Sequence, residues 1–443
     1  MGEELLLVKV ESILSVVSSK PIEPGKVHKL SLLDQAMGLH TVHLVFYYAS
    51  NPFNEGPMSS DIDNLRVSLS HLLNQYPNAT GRLTRDPDGG WQVKCNDAGV
   101  RILQASVTAT LDEWLRSADA VLERDLTVWE DMPQDPSFWS PFRIQINNFK
   151  CGGLAIGLSC SHMNADITSL TLLIKSWTEA HRGQPLTHTP TFQLHLPTTY
   201  VSSSSSLTPS PLFIASNHVK MGTVTMKFSD SSIRKYLSQV KNECPKATPF
   251  DVLVALFWSR IAKWVDPSPK HHYLSLCVDM RTNPGIPYGY FGNALHFSLL
   301  SMDADMLLSD TGHHQVSDCI HKHVSSLKEE DFGAFIRELE SKEQPCRMYG
   351  PRLTCINAEH LVCAENGGGL MYAARFNEEK PVLVSYNVGN VEGEGLIMVM
   401  PSSEAGFGRT VTVTLPEEQI VNLCKDKTVL GLEPIMLVSG NRR

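Results

Sequence analysis

Apolar positions along this chain switch period repeatedly. "LLLVKVESILSV" (5–16) and "VHLVFYY" (42–48) are dense in branched and aromatic residues and read as strands. Over 61–76, apolar side chains fall at 62, 65, 69, 72, 73 and 76, helical spacing with acidic residues at the start. "GRLTRDPDGGWQVKC" (81–95) predicts a hairpin around Asp88-Gly89. "FRIQINNFKCGGLAIGLSCSH" (142–162) predicts two strands with a turn near Lys150–Gly153, the second strand buried. Apolar residues at 167, 170, 173, 174 and 177 then mark a helix closed by Gly183.

The pattern lapses over 183–220, which is rich in Pro, Ser and Thr and holds five consecutive serines at 202–206, so it reads as a surface linker. A second alternating block follows. Thr248, Pro249 and Asp251 match the cap, first position and capping-box position of a helix with one buried face at 250, 253, 254, 257, 261 and 264. Strands alternate over 272–300, and the tail predicts three strands and a helix starting near Pro416. With no internal repeat, the expectation is two α/β domains with mixed sheets, at 1–182 and 221–443, joined by a long crossover at 183–220.

Composition adds exclusions. The chain is 42% hydrophobic and 19% charged, an ordinary globular mixture. A net charge of −9 with no Lys/Arg cluster argues against nucleic acid. Ten cysteines form no CxxC pair, which points to a reducing compartment and away from a zinc or redox motif. The first residues are acidic and lack the basic flank and cleavage site of a secretory signal, and no apolar run is long enough to span a membrane. A soluble protein is expected, cytoplasmic or peripherally attached to a membrane. The sequon Asn78-Ala79-Thr80 reads as incidental, and the doublets His271-His272 and His313-His314 as solvated loop residues.

Candidate chemistry sits in "GLSCSHMNADITS" (157–169), where His162 and Asp166 follow a buried strand four positions apart. A His here serves either as a base or as a polar residue closing a core strand. As a base it suits removing a proton from a hydroxyl or amine that attacks an activated carbonyl, because a neutral imidazole is available at pH 7. Asp166 would then hold the loop by pairing with Arg281, in the breaker-rich "CVDMRTNPGIPYGYFGN" (277–293). No G-x-S-x-G, H-E-x-x-H, Walker or G-x-G-x-x-G pattern is present, and the glycine-rich stretches at 365–370 and 389–395 read as turns.

Several segments coincide in order and spacing: "LSLLDQAM" (30–37), "LLNQYPNATGRL" (72–83), "CNDAGV" (95–100), "SHMNAD" (161–166), "TPFDVLVALFWSRIAKW" (248–264) and "DMRTNPGIPYGYFGNAL" (279–295). Across nearly its whole length the chain resembles the plant BAHD acyltransferases, which transfer acyl groups from CoA to alcohols or amines. The resemblance implies a chloramphenicol-acetyltransferase-like fold of two similar domains, with a channel between them. It implies His162 as general base, Asp166 as structural aspartate and Arg281 as its partner. Ile167, Tyr290, Gly292 and Asn293 become candidates for lining the channel or touching acyl-CoA. It implies no metal, no cofactor beyond acyl-CoA as co-substrate, and a monomer.

Two departures stand out. The family has Gly after the aspartate, where this chain has Ile167, expected to disfavour φ > 0 and to narrow the channel. The family's late D-F-G-W-G-K-P aligns with "RFNEEKP" (375–381), which keeps Phe376 but has Arg375, Asn377, Glu378 and Glu379 in place of Asp, Gly, Trp and Gly. Facing the reaction centre, Glu378 would oppose an oxyanion; in a remote, structural motif the loop has simply been rebuilt. "KCGGLAIGLS" (150–159), "VKCNDAGVR" (93–101) and "VTVTLPEEQI" (411–420) resemble the eceriferum/glossy wax branch. That branch implies a plant protein at the endoplasmic reticulum surface, assisting a membrane-bound β-ketoacyl-CoA synthase in elongating very-long-chain acyl-CoAs.

Overall fold

The computed structural model describes residues 7–53, 59–194, 219–265, 269–282, 285–309, 312–340, 348–362 and 370–438. The serine run, most of 365–370, Cys346 and Cys363 lie outside them. The strands are β1 (Val8–Val16), β2 (Val27–Lys29), β3 (Thr41–Tyr48), β4 (Arg82–Arg85), β5 (Trp91–Lys94), β6 (Val100–Val107), β7 (Phe142–Phe149) and β8 (Leu154–Ser161). They continue with β9 (Met221–Phe228), β10 (His271–Asp279), β11 (Leu295–Asp303), β12 (Thr354–Asn357), β13 (Leu383–Val388), β14 (Leu396–Pro401), β15 (Arg409–Pro416) and β16 (Ile435–Leu437). The chain divides into two compact α/β units. The first takes Met1–Leu194, Pro287–Asn293 and Leu370–Gly389, and the second takes the remainder.

In the first unit a six-stranded mixed sheet runs β1-β6-β7-β8-β3-β13, with a small sheet β2-β5-β4 beside it in the chain. β8 is buried at every position, and its sequence carries no charged residue. Its Gly157 is required by close approach, since a Cβ there would sit 2.0 Å from the Leu126 carbonyl oxygen. Helices Ser59–Leu73 and Ile167–His181 pack together, tied by Trp177 Nε1 donating to Ser68 Oγ at 3.0 Å. The β4–β5 hairpin turns through Gly89 at φ 85°, as its sequence predicts. Asn78 and Thr80 of the sequon are buried, so no glycan fits there.

Two features differ from the division drawn on sequence. β13 pairs antiparallel with β3 from Leu383↔Tyr47 to Val388↔Val42, so late chain completes the first sheet. Strand periodicity identifies a strand but not its partner, and β3 is an apolar strand whose edge needs covering. The expected linker also begins later than 183. Thr191 N–H donates to the Gly289 carbonyl at 3.0 Å and its own carbonyl accepts from Phe291 N–H at 2.7 Å, which keeps this stretch inside the first unit.

The second unit is built on a seven-stranded mixed sheet, β11-β10-β12-β14-β15-β9-β16. Helix Pro249–Ala262 starts on the predicted box, with Thr248 and Asp251 capping each other's backbone. It is buried nearly all round rather than on one face, because it packs against β14 as well as helices Asp230–Val240 and His313–Ser326. The His doublets are not loops. His272 is buried within β10, and His313-His314 begin a helix, with His314 on Glu243 at 2.5 Å. No disulfide joins the described cysteines, no described helix is long and apolar enough to cross a membrane, and no described cluster could hold a metal.

Candidate active site

His162 follows directly on β8, where the chain leaves the sheet through a turn closed by Asn164 N–H on the Ser161 carbonyl at 2.9 Å. Its backbone is held at both ends. The His162 N–H donates to the His40 carbonyl at 3.0 Å, and its carbonyl accepts from Asn293 Nδ2 at 2.8 Å. The residue is fully buried, and burial lowers the imidazole pKa from its ordinary value. Asp166 and the Asn293 side chain oppose that shift by favouring the charged ring. The site therefore holds a neutral imidazole at pH 7 beside groups that welcome its conjugate acid.

Asp166 is the N-cap of helix Ile167–His181, with extended backbone and its carboxylate accepting from Ser169 N–H at 2.9 Å. This removes the conformational objection to Ile167. The residue is the first of the helix and does not take positive φ, so the family's Gly is not needed for backbone freedom. What Ile167 adds is buried volume.

The 287–293 segment is clasped to the first turn of the same helix. Ser169 Oγ donates to the Gly292 carbonyl at 2.9 Å and accepts from Gly292 N–H at 3.1 Å. Gly292 lies at φ 156°, and a Cβ there would stand 2.7 Å from Tyr290 Oη. Asn293 is fixed by Asp34, whose Oδ1 accepts from Asn293 N at 2.9 Å and Nδ2 at 2.8 Å. The other oxygen, Oδ2, closes a capping box with Ser31 N and Oγ at 2.9 and 2.7 Å. Thus His162, Asp166, Ile167, Tyr290, Gly292 and Asn293 come together within the first unit. Asp34, Ser169 and His40 join them without having been singled out. Ser-x-x-Asp at 31–34 signals a helix start but not that the second oxygen reaches residue 293.

Arg281 belongs to the second unit, just past β10. There it is buried and donates from N and Nη1 to Asp279 Oδ1 and Oδ2, each at 2.7 Å, while His360 Nε2 lies 3.4 Å from the same carboxylate.

The altered late motif lies in the first unit at the far end of the motif helix. Phe376 is fully buried, edge-on to Trp177 at 5.2 Å, Phe53 at 5.1 Å, His181 at 5.7 Å and Tyr48 at 6.0 Å between ring centres. Trp177 is ten residues along the helix from Ile167, about 15 Å at the helical rise. Asn377 turns the chain at φ 50° and donates from Nδ2 to the Pro52 carbonyl at 2.6 Å, and Glu379 Oε1 accepts from Ser50 Oγ at 2.6 Å. Arg375 and Glu378 are exposed. The charge of Glu378 faces water, so the repulsion of an oxyanion anticipated for it does not arise.

A sequence profile of the transferase family matches residues 7–430. The chain belongs to this family, the BAHD acyltransferases. Among BAHD relatives, Protein ECERIFERUM 2 of Arabidopsis thaliana is 25% identical over 437 residues, covering 94% of this chain and 96% of that protein. Vinorine synthase of Rauvolfia serpentina is 27% identical over 327 residues, covering 67% of this chain and 71% of that one. The crystal structure of vinorine synthase matches the fold with a TM-score of 0.73 at 20% identity, over 98% of this chain and all of that one. F. sporotrichioides TRI101 complexed with Coenzyme A and T-2 matches with a TM-score of 0.71 at 13% identity, over 94% of this chain and 100% of that chain. The α/β architecture is therefore that of BAHD and chloramphenicol-acetyltransferase-like proteins.

Proposed function

We propose that the protein transfers an acyl group from acyl-CoA to a hydroxyl or amine acceptor, with His162 as general base. The observation that carries this is a buried imidazole, kept neutral by burial, beside an aspartate that favours its protonated form. The imidazole takes the acceptor's proton as the acceptor heteroatom bonds to the thioester carbonyl carbon. The resulting tetrahedral oxyanion collapses, CoA leaves as the thiolate, and the imidazolium returns the proton to it. Asp166 holds the turn and stabilises the imidazolium. Ile167, Tyr290, Gly292 and Asn293 shape the acyl-CoA and acceptor site. No cofactor is needed beyond the co-substrate, and a monomer suffices.

The test is thiol release by pure protein from aromatic and fatty acyl-CoAs offered with alcohols and amines. The wild type should release CoA, and His162→Ala should lower the rate by ~10²–10⁴-fold with an unchanged melting transition. Silence across the panel overturns the reading.

A second reading is favoured by relatives of one name. Protein ECERIFERUM 2, 26-like and 26 are each 25% identical to this chain. On this reading the protein acts at the endoplasmic reticulum surface beside a β-ketoacyl-CoA synthase during very-long-chain elongation, without acyl transfer by His162. A His162→Ala protein that still restores wax chain length in a deficient plant supports it, and failure to restore favours the first.

A further inference from the structure

The amide of Asn293 has two ends with different company. Nδ2 serves two acceptors that offer no proton, the Asp34 carboxylate and the His162 carbonyl, both at 2.8 Å. That fixes which end is nitrogen, since a flipped amide would set oxygen against oxygen twice. Oδ1 is left as a buried acceptor with no donor in hydrogen-bond geometry among the described residues. A buried orphan acceptor costs free energy and calls for a reason. One lies beside it: the Asn293 side chain is among the groups that favour the charged His162 ring. A neutral imidazole has one N–H, and the imidazolium has two.

We propose that Asp34 is a positioning residue for His162: by locking the Asn293 amide it keeps Oδ1 poised for the imidazolium that forms when His162 takes the acceptor's proton. The interaction is stronger in the protonated state than at rest, the form of stabilisation that raises rate rather than binding. Asp34 suits the task because it is itself immobile. It is 1% exposed, sits in the helix Leu32–Ala36 and spends Oδ2 on Ser31. The titratable groups on the elements bonded to His162 are Asp166 on its own turn, His40 through its carbonyl, and Asp34 through Asn293. Burial raises the Asp34 carboxyl, so an untitratable replacement is a necessary control.

The inference rests on His162 being the base, but its test does not require turnover. Full-length protein labelled with 15N-histidine is titrated by NMR, with His162→Gln used to assign the signal. Asp34→Ala and Asn293→Ala should each move the His162 midpoint to lower pH. Asp34→Asn keeps an acceptor oxygen for Asn293 and should hold the midpoint near the wild type. A midpoint unmoved in either folded alanine variant overturns the proposal, and either variant suffices if the other does not fold. Absence of acyl transfer counts against the proposed reaction and leaves this titration intact.

Discussion

A buried histidine is useful as a base only if its conjugate acid can form nearby. Burial lowers the His162 pKa while Asp166 and Asn293 raise it, so the acid limb of kcat/KM should have its midpoint below the ordinary histidine value near 6.5. Asp166→Asn removes a negative charge that favours the imidazolium and should push that limb further toward acid; a limb that moves toward alkali contradicts the assignment. His296 gives a stability counterpart in the second unit. Packed edge-on against Phe332 and Phe335, it is pulled down to about 4. The unfolded chain takes up this proton near 6.5, so it binds more protons than the folded one below that pH, and stability falls as pH falls toward 4. The gap corresponds to roughly 3 kcal/mol, and His296→Phe should lose that much less than wild type between pH 7 and 4, read by urea unfolding. "SHMNAD" makes His162 and Asp166 visible in the sequence. Nothing in "LSLLDQAM" shows that Asp34 reaches Asn293, 259 residues later, because hydrogen-bond partners at that separation leave no local pattern.

Elements were readable where local rules govern them. The β4–β5 turn, the Thr248 capping box and the helix after Asp166 each follow from a few adjacent residues. The late motif was not readable in this way, because its role depends on which end of a helix it meets. With Phe376 wedged among four rings and Glu378 in water, the two should respond oppositely. Phe376→Ala should cost ~3–5 kcal/mol of stability by leaving a cavity. Glu378→Trp, restoring the family's aromatic, should change stability by no more than about 0.5 kcal/mol and leave kcat unaltered. A large gain in activity from Glu378→Trp would show that the turn acts on the chemistry after all.

For the whole molecule, sequence order suggests two blocks, yet the first unit draws on three stretches of chain. Composition and period established the α/β class and the count of units; they carry no information on which sheet receives a given strand. Buried Glu123 shows how tightly the late stretch is bound in. Its carboxylate accepts from Tyr47 Oη at 2.6 Å on β3, and from Ser385 Oγ at 2.9 Å and Asn387 Nδ2 at 3.2 Å on β13. A fragment of residues 1–194 should therefore fail to give a cooperative melting transition. Adding a fragment spanning 370–389 in trans should restore part of it. A fragment 1–194 that melts cooperatively alone would mean that β13 is dispensable.

The β3–β13 pairing also sets a clock on biosynthesis. About 220 residues separate the end of β8 from the start of β13, and at ribosomal rates of ~5–20 residues per second they take roughly 10–45 s to emerge. Throughout that interval "TVHLVFYY" has a neighbour on one side only, and its open edge is apolar, β-prone and free of acidic or basic gatekeepers other than His43. The nascent chain thus carries an apolar, β-prone strand edge uncapped for about half of its synthesis, and its yield should depend on holdase chaperones more than the finished protein's stability suggests.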